Sequence, residues 1–168
     1  MNPDTTCCFT GPRPQKLPMG GNEFSAEIAA LKTNLRSAII DAYNEGFRFF
    51  ISGMAEGFDL FAAETVVELK PSLEGIALIA ALPCSEAPKH HSSQITKRMN
   101  AVLSKADAII TLCEIYVPGC EHKRNRYMVD NSTRIIGYYN GLSGGTAHCW
   151  NYAAEKNLEL VNLYESFQ

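Results

Sequence analysis

Two apolar stretches, GIALIAAL at Gly75–Leu82 and AIITLC at Ala108–Cys113, decide the fold class. Nearly every residue in them is apolar, so they lack the polar–apolar alternation of a strand that has one face in water. Continuous apolar runs of this length are typical of strands in parallel sheets, which helices cover on both faces. We therefore expect both stretches to be strands that are covered on both faces.

Working outward from these stretches, short apolar runs and helical patterns alternate along the whole chain. The six predicted strands are Thr5–Thr10, Phe47–Ser52, Gly75–Leu82, Ala108–Cys113, Arg134–Tyr139 and Leu158–Leu163. The five predicted helices are approximately Ser25–Glu45, Gly57–Leu69, Ser92–Lys105, His122–Asn131 and Thr146–Lys156. The apolar residues of the first helix recur at intervals of three and four, at Ile28, Leu31, Leu35, Ile39 and Ala42.

Repeated strand–helix alternation requires right-handed crossovers between parallel strands. The sequence therefore predicts an α/β fold, a three-layer, Rossmann-like, doubly wound sheet. We expect about six mostly parallel strands, with helices on both faces. No repeat or linker interrupts the pattern, so residues 1–168 are predicted to form one domain.

Composition and charge narrow the function classes. Hydrophobic residues make up 46% of the 168 residues and charged residues 20%, an ordinary globular mixture. The net charge of −3 disfavours a general polyanion binder, although a local basic patch can still bind a small anion. The first apolar run is too early and too short for a signal peptide, and no stretch is long enough to span a membrane. We expect a cytoplasmic protein without a membrane partner.

The cysteines do not predict a metal site. None of the six forms a CxxC pair, and several lie inside apolar runs, where a reduced cysteine packs as a small hydrophobe. Cys113, Cys120 and His122 are close in sequence, but their spacing matches no standard zinc site. We predict no bound metal.

Ligands of doubly wound sheets bind beyond the carboxyl ends of the strands, so the loops after the strands are the candidate site. After the first strand, Gly11 would permit close backbone approach and Arg13 would supply a cation, with Thr10 at the strand end. After the second strand, Gly53 and Gly57 flank a strand-to-helix turn that would direct backbone N–H groups into the crevice.

The turn after the second strand also carries Ser52 and Asp59. It is neither the GxGxxG fingerprint nor a Walker loop. Asp59 fits two roles, because a carboxylate in the first helical turn can accept from a ribose hydroxyl or stabilise the helix start. For the loop after the first strand, the alternative is a rigid surface turn whose Arg13 is solvated.

The segment before the fifth strand contains Arg124, Asn125 and Arg126, a set that suits phosphate. The alternative is a surface pair between Arg126 and Asp130, four residues apart on one helix. On a regular helix, Arg124 and Arg126 point about 200° apart, so they would not face one ligand together.

The strongest single phosphate signal follows the fifth strand, in the loop GLSGGT that ends at Thr146. The backbone of Ser143, Gly144 and Gly145 and the Thr146 hydroxyl would surround an oxyanion at a helix N-terminus. The alternative is a glycine-rich turn that Thr146 caps.

Several motifs together resemble those of the SLOG superfamily, and most closely those of its small bacterial YpsA-like and YoqJ-like proteins. They are TGPRP (10–14), SGMAEGFDLFAAE (52–64), LPC (82–84), DAIITL (107–112), RNRYMVDNS (124–132) and YYNGLSGGTAHCWNYA (138–153). The resemblance implies a Rossmann-like fold and a nucleotide-derived ligand. It places Gly53, Gly57, Arg124, Gly144, Gly145 and Thr146 at matching positions.

Two better understood relatives within this superfamily suggest alternatives. The "lonely guy" phosphoribohydrolases carry the motif PGGxGTxxE, but here Cys149 occupies the position of the glutamate, which leaves N-glycosidic hydrolysis without its carboxylate. Asp59 or Glu56 would have to replace it from another loop. DNA-processing protein A, which binds single-stranded DNA, has segments similar to Ser52–Asp59 and Arg124–Arg126.

The leading interpretation is a binding or sensing domain for a nucleotide or nucleotide-derived phosphate, with little or no catalysis. The expected ligands resemble AMP, ADP-ribose or NAD, no cofactor is required, and no catalytic residue is assigned. A phosphoribohydrolase-like enzyme and a single-stranded DNA-binding protein remain the alternatives, with nucleic acid the less favoured partner. A homodimer is compatible with the tyrosines of the fifth strand.

Overall fold

The computed structural model describes residues 1–85 and 91–164. Six strands form one sheet: β1 Thr6–Thr10, β2 Phe49–Ser52, β3 Ala77–Leu82, β4 Ala108–Thr111, β5 Arg134–Gly137 and β6 Glu159–Asn162. The α-helices of the described residues are α1 Ala26–Asn44, α2 Phe58–Leu69, α3 Ser93–Leu103, α4 Cys120–Asp130 and α5 Gly145–Glu155. Each predicted strand and helix is therefore present, with ends that differ by a few residues.

The strand order is β4-β3-β2-β1-β5-β6, and every pairing is parallel. The chain builds outward in one direction from β1 to β4 and then crosses back to place β5 on the other side of β1. Between β1 and β5, Thr10 pairs with Gly137. This reversal is the topological switch point of a doubly wound sheet, which confirms the predicted Rossmann-like fold class.

Two apolar cores lie on opposite faces of the sheet, as the predicted three layers require. The first contains Phe9 and Phe50 of the sheet and the buried faces of α1, α2 and α3. All five predicted apolar residues of α1 are fully buried there. The second core contains Ile51 of β2, with Met128 of α4 and Trp150 of α5. Alternate residues of the central strands β1 and β2 therefore enter different cores.

The expectation that β4 is covered on both faces is wrong. Ile109 is 50% exposed, and the strand alternates between half-buried and exposed residues. The cause is position, because β4 lies at one edge of the sheet and has β3 as its single neighbour. By contrast, the four central residues of β3 are buried.

The N-termini of the helices differ in whether a side chain caps them. Ser25 caps α1 and Ser92 caps α3, each accepting from the backbone N–H three residues later. In α2 and α5 the N-cap residues are Gly57 and Gly144, which offer no side-chain acceptor. Thr146 is therefore not the cap of α5, because the helix already begins at Gly145. The first N–H groups of α2 and α5 receive no capping side chain.

Residues 1–85 and 91–164 contain neither a candidate membrane span nor a candidate metal-binding cluster. No helix in these ranges combines the length and the apolar character that a membrane span requires. No three or more histidine, cysteine, aspartate or glutamate side chains in the same ranges are grouped so as to hold a metal ion.

Candidate functional site

A cavity of about 620 Å³ opens at the carboxyl ends of β1 and β5, at the switch point of the sheet. Segments from four parts of the chain form its wall. The lining residues are Thr10, Gly11, Pro12, Arg13, Gln15, Lys16, Ala55, Asp59, Glu121, Arg124, Asn125, Tyr138, Asn140, Leu142, Ser143, Gly144, Gly145 and Thr146. The cavity thus lies where the strand order predicts a ligand site.

Most of the residues that the sequence singled out meet at this cavity. Those that line it are Thr10, Gly11, Arg13, Asp59, Arg124, Asn125, Ser143, Gly144, Gly145 and Thr146. Ser52, Gly53, Gly57 and Arg126 do not line it. The first three instead contact residues that line it. For example, Ser52 Oγ donates to the backbone oxygen of Asp59 over 2.8 Å.

Arg126 lies on another face of α4, where its guanidinium sits 5.5 Å from the ring centre of Tyr152. Its predicted partner Asp130 instead accepts from the Tyr152 hydroxyl over 2.8 Å and lies 3.8 Å from Lys156. Arg124 and Arg126 therefore do not face one ligand, as the helical period predicts.

Arg124 is a buried guanidinium held in a fixed orientation. Its Nη1 donates to the backbone oxygen of Gly53, and its Nε donates to Asn125 Oδ1 over 2.9 Å. A Cβ at Gly53 would lie 2.8 Å from Arg124 Nη1 and 2.8 Å from Asp59 Oδ2. Gly53 therefore provides the space in which the arginine and the carboxyl group approach the β2–α2 turn.

Asp59 belongs to the first turn of α2 and is only 6% exposed. Within the described part of the chain, its Oδ1 atom is buried and has no hydrogen-bond partner. Burial raises the pKa of this carboxyl group from 3.8 to about 6, against the opposing effects of Arg124, the Ala55 backbone and Arg13. This cavity-lining residue therefore carries a buried acceptor that has no hydrogen-bond partner among the described residues.

The start of α5 forms another part of the wall. Gly144 has a φ of 143°, and no side chain caps the helix that follows it. Lys16 Nζ lies 3.5 Å from the position that a Cβ on Gly144 would occupy, whereas a Cβ on Gly145 would point into open space. Backbone N–H groups, the positive end of the helix dipole and an ammonium group thus meet at one place.

Sequence reasoning missed Lys16 as well as Gln15, Glu121, Tyr138 and Asn140. Lys16 ends a short 3₁₀ turn, Pro14–Lys16, and Pro18 begins the next. Prolines on both sides restrict the conformation of this segment, but they do not indicate that Lys16 lies beside Gly144. Tyr138 is buried and packs edge-on against Tyr164 with ring centres 5.4 Å apart.

Comparison with known proteins identifies the family. Residues 7–166 match the model of the YspA SLOG family. The chain belongs to this family. It is also 32% identical to the uncharacterised SPbeta prophage-derived protein YoqJ of Bacillus subtilis, over 82% of this chain and 89% of that one. A UPF0398 protein of Bacillus cereus is 22% identical over 94% of this chain and 86% of its own. The predicted resemblance is confirmed.

Solved structures support the fold of this SLOG-family chain. DNA processing protein A from Helicobacter pylori, described for its single-stranded DNA binding mode, superposes with a TM-score of 0.64 at 18% identity. It matches 95% of this chain, which spans 64% of that protein. The protein TM1055 gives a TM-score of 0.57 at 12% identity, over 99% of this chain and 80% of its own. At these identities the likeness shows the fold alone.

Two side chains of this SLOG-family protein limit its acid–base chemistry. Glu56 already interacts with a side chain, because its Oε2 lies within hydrogen-bonding distance of His91 Nδ1, at 3.1 Å. Cys149, in α5, is fully buried and does not line the cavity. Burial raises the pKa of its thiol to about 11, although a hydrogen bond with Thr10 acts in the opposite direction. Among the residues that the structure describes, Asp59 and Glu121 are the carboxylates that line the cavity.

Proposed function

We propose that the cavity binds a nucleotide or a nucleotide-derived phosphate, and that the protein holds or senses this ligand with little or no catalysis. The observation that carries the proposal is the uncapped start of α5, which opens into a cavity also lined by Arg13, Lys16 and Arg124. Three cations on one cavity are informative in a chain whose net charge is −3. A volume of about 620 Å³ is also typical of small-molecule sites.

The phosphate is assigned to the start of α5. Backbone N–H groups of Gly144 to Thr146 and the Thr146 hydroxyl would donate to its oxygens, with the helix dipole favouring the negative charge. Lys16 supplies a charge that pairs with phosphate as a compact ammonium group. Arg13 and Arg124 complete a positive wall. AMP, ADP-ribose and NAD-like molecules combine such a phosphate with further groups that can fill the cavity.

A cytoplasmic location is part of the proposal. All six cysteines are free thiols, a state that a reducing compartment maintains. Nucleotides of the proposed kind would be available there as ligands.

Titration calorimetry with AMP, ADP-ribose, NAD and cyclic dinucleotides tests the proposal. We expect at least one of them to bind with a Kd in about the micromolar range. Lys16→Ala should weaken that binding about tenfold, because it removes a cation beside the phosphate. Lys97→Ala, at a lysine of α3 that is also exposed but does not line the cavity, is the control and should bind like wild type. No heat of binding across the panel would reject the proposal.

A second candidate is nucleoside-monophosphate hydrolysis at the N-glycosidic bond. It is favoured by one observation, the cavity-lining carboxyl of Asp59 with its pKa of about 6, a value suited to acid–base catalysis near neutral pH. Chromatography of AMP incubated with the protein would detect free adenine. Release that disappears in Asp59→Asn would support an enzyme, and intact AMP after long incubation would exclude this activity. Single-stranded DNA binding, which is described for DNA processing protein A, has a test of its own: a gel shift with single-stranded DNA at low salt.

A further inference from the structure

The unpartnered acceptor on Asp59 restricts the chemistry of the ligand more than the three cations of the cavity do. Asp59 lines the cavity, and its Oδ1 is buried and has no hydrogen-bond partner among residues 1–85 and 91–164. Buried polar groups in native proteins nearly always have a hydrogen-bond partner, so one without a partner calls for an explanation. A ligand atom that donates a hydrogen bond at this position is such an explanation.

The neighbours of Asp59 define what that ligand atom must be. Arg124 is close enough to lower the pKa of the carboxyl, but two of its nitrogens already donate to Gly53 and Asn125. A phosphate is unsuitable beside Oδ1, because it is an anion that mainly accepts hydrogen bonds. The group facing Oδ1 must therefore be a neutral or cationic donor, such as a hydroxyl.

The shared cavity narrows the choice further. Asp59 lines the same cavity as Gly145 and Thr146, the first residues of α5. In a nucleotide whose phosphate lies at the start of α5, the sugar follows the phosphate directly. Its hydroxyl groups are therefore the first donors that such a ligand can offer to Asp59.

We propose that Asp59 accepts a hydrogen bond from a ribose hydroxyl and makes the site selective for ribonucleotides over deoxyribonucleotides. This inference rests on the proposed function, since it takes the phosphate at the start of α5 as given. A site built to hydrogen-bond a ligand hydroxyl discriminates strongly against the analogue that lacks it, because the buried acceptor is then left unpaired.

The decisive experiment compares ligands that differ by one hydroxyl. Calorimetry would measure ribose 5-phosphate against 2-deoxyribose 5-phosphate, and AMP against its 2′-deoxy and 3′-deoxy forms. We expect wild type to prefer the ribose forms over at least one deoxy form by about tenfold or more. Asp59→Ala, which removes the acceptor, should reduce this preference to less than about threefold. Lys16→Ala should weaken all of these ligands to a similar extent and preserve the preference.

The outcomes separate this inference from the function on which it rests. Equal binding of ribose and deoxyribose forms by wild type would overturn the role of Asp59 while leaving nucleotide binding intact. Preference retained in Asp59→Ala would also overturn it, because another group would then read the hydroxyl. No measurable binding of any of these phosphate compounds would reject both the role of Asp59 and the proposed nucleotide binding. The comparison of ribose and deoxyribose ligands on the wild-type protein tests the inference even if a variant does not fold.

Discussion

At the scale of single residues, Asp59 is a carboxyl group that the fold holds in an unfavourable place. Its pKa is about 6 in the folded protein and 3.8 in its ordinary state, so folding favours the protonated form. The stability associated with that proton is fully present below pH 3.8 and is lost as the pH rises through about 6. Ionised Asp59 therefore destabilises the protein at neutral pH.

Asp59→Asn removes this titration and should stabilise the protein at pH 7. Two pKa units correspond to about 3 kcal/mol of unfolding free energy, an upper figure because the asparagine amide reproduces the protonated carboxyl group only approximately. Urea unfolding at pH 4, 5, 6 and 7 should show a gain that grows with pH. Glu68→Gln, at an exposed carboxylate of the same helix, is the control and should show no such trend. Equal stability of Asp59→Asn and wild type at pH 7 would contradict the prediction.

Gly11 is needed for space. A Cβ at this position would lie 2.5 Å from Cδ1 of the buried Phe58 ring. Gly11→Ala should therefore lower the unfolding free energy by about 1–3 kcal/mol or more, the usual effect of overpacking. Gly145→Ala, whose Cβ would meet open space, should leave stability unchanged. The urea midpoints of the two variants measure the difference, and equal midpoints would disprove it.

Individual residues also show what the sequence can predict. Gly11, Asp59 and the Gly144–Thr146 turn were recognisable because each lies in the loop after a strand or in the first turn of the helix that follows that loop. Arg126 was grouped with Arg124 although the period of a helix separates them. Lys16 was missed, because its place beside Gly144 depends on how two loops far apart in the chain fold toward each other.

At the scale of secondary-structure elements, β4 shows the limit of a pattern. Its apolar run resembles that of β3, yet β3 is central and β4 is at the edge. Strand order is set by the crossovers and is not written in a strand's own composition, so the sequence could not distinguish the two. The difference in burial can be measured by comparing an isoleucine of β4 with an isoleucine of a central strand.

Ile109→Ala in β4 should lower the unfolding free energy by less than about 1 kcal/mol, since half of this side chain is already in water. Ile136→Ala in β5 removes a fully buried side chain and should lower it by about 2–5 kcal/mol. Chemical denaturation of both variants tests the contrast. Similar losses in the two would mean that β4 is covered in solution by something outside the described residues.

At the scale of the whole molecule, a buried arginine at the opposite end of β5 joins three elements. Arg134 Nε donates to Glu159 Oε2 of β6 over 2.9 Å, and its Nη2 also pairs with Glu45 at the end of α1. Its guanidinium lies 4.4 Å from the ring centre of Phe47. The sequence places this arginine in a strand but does not reveal its partners.

Arg134→Ala should lower the unfolding free energy by about 1–3 kcal/mol, because it removes both ion pairs and the packing on Phe47. Glu45→Gln should lower the unfolding free energy by a smaller amount, because that carboxylate is largely exposed. Thermal unfolding of the two variants tests this order. A larger loss in the glutamate variant would contradict it.

The fold class was predictable from alternation alone, and the end of the sheet that carries the site followed from the fold class. The reversal between β1 and β5, which brings residues 10 and 146 to one cavity, was not predictable from the sequence. The single domain and the homodimer stay predictions. Sedimentation equilibrium measures the oligomeric state directly.

Cys149 has a consequence for how this chain can evolve. The phosphoribohydrolases that it resembles carry glutamate at this position, and every letter of a cysteine codon must change to encode glutamate. The new carboxylate would also enter a fully buried place that is electrostatically coupled to Asp59. Two carboxylates so placed resist ionising together. A glutamate at this position would therefore titrate together with Asp59, with one carboxyl group of the pair keeping its proton to higher pH than the other, so this single replacement would change the chemistry of both positions.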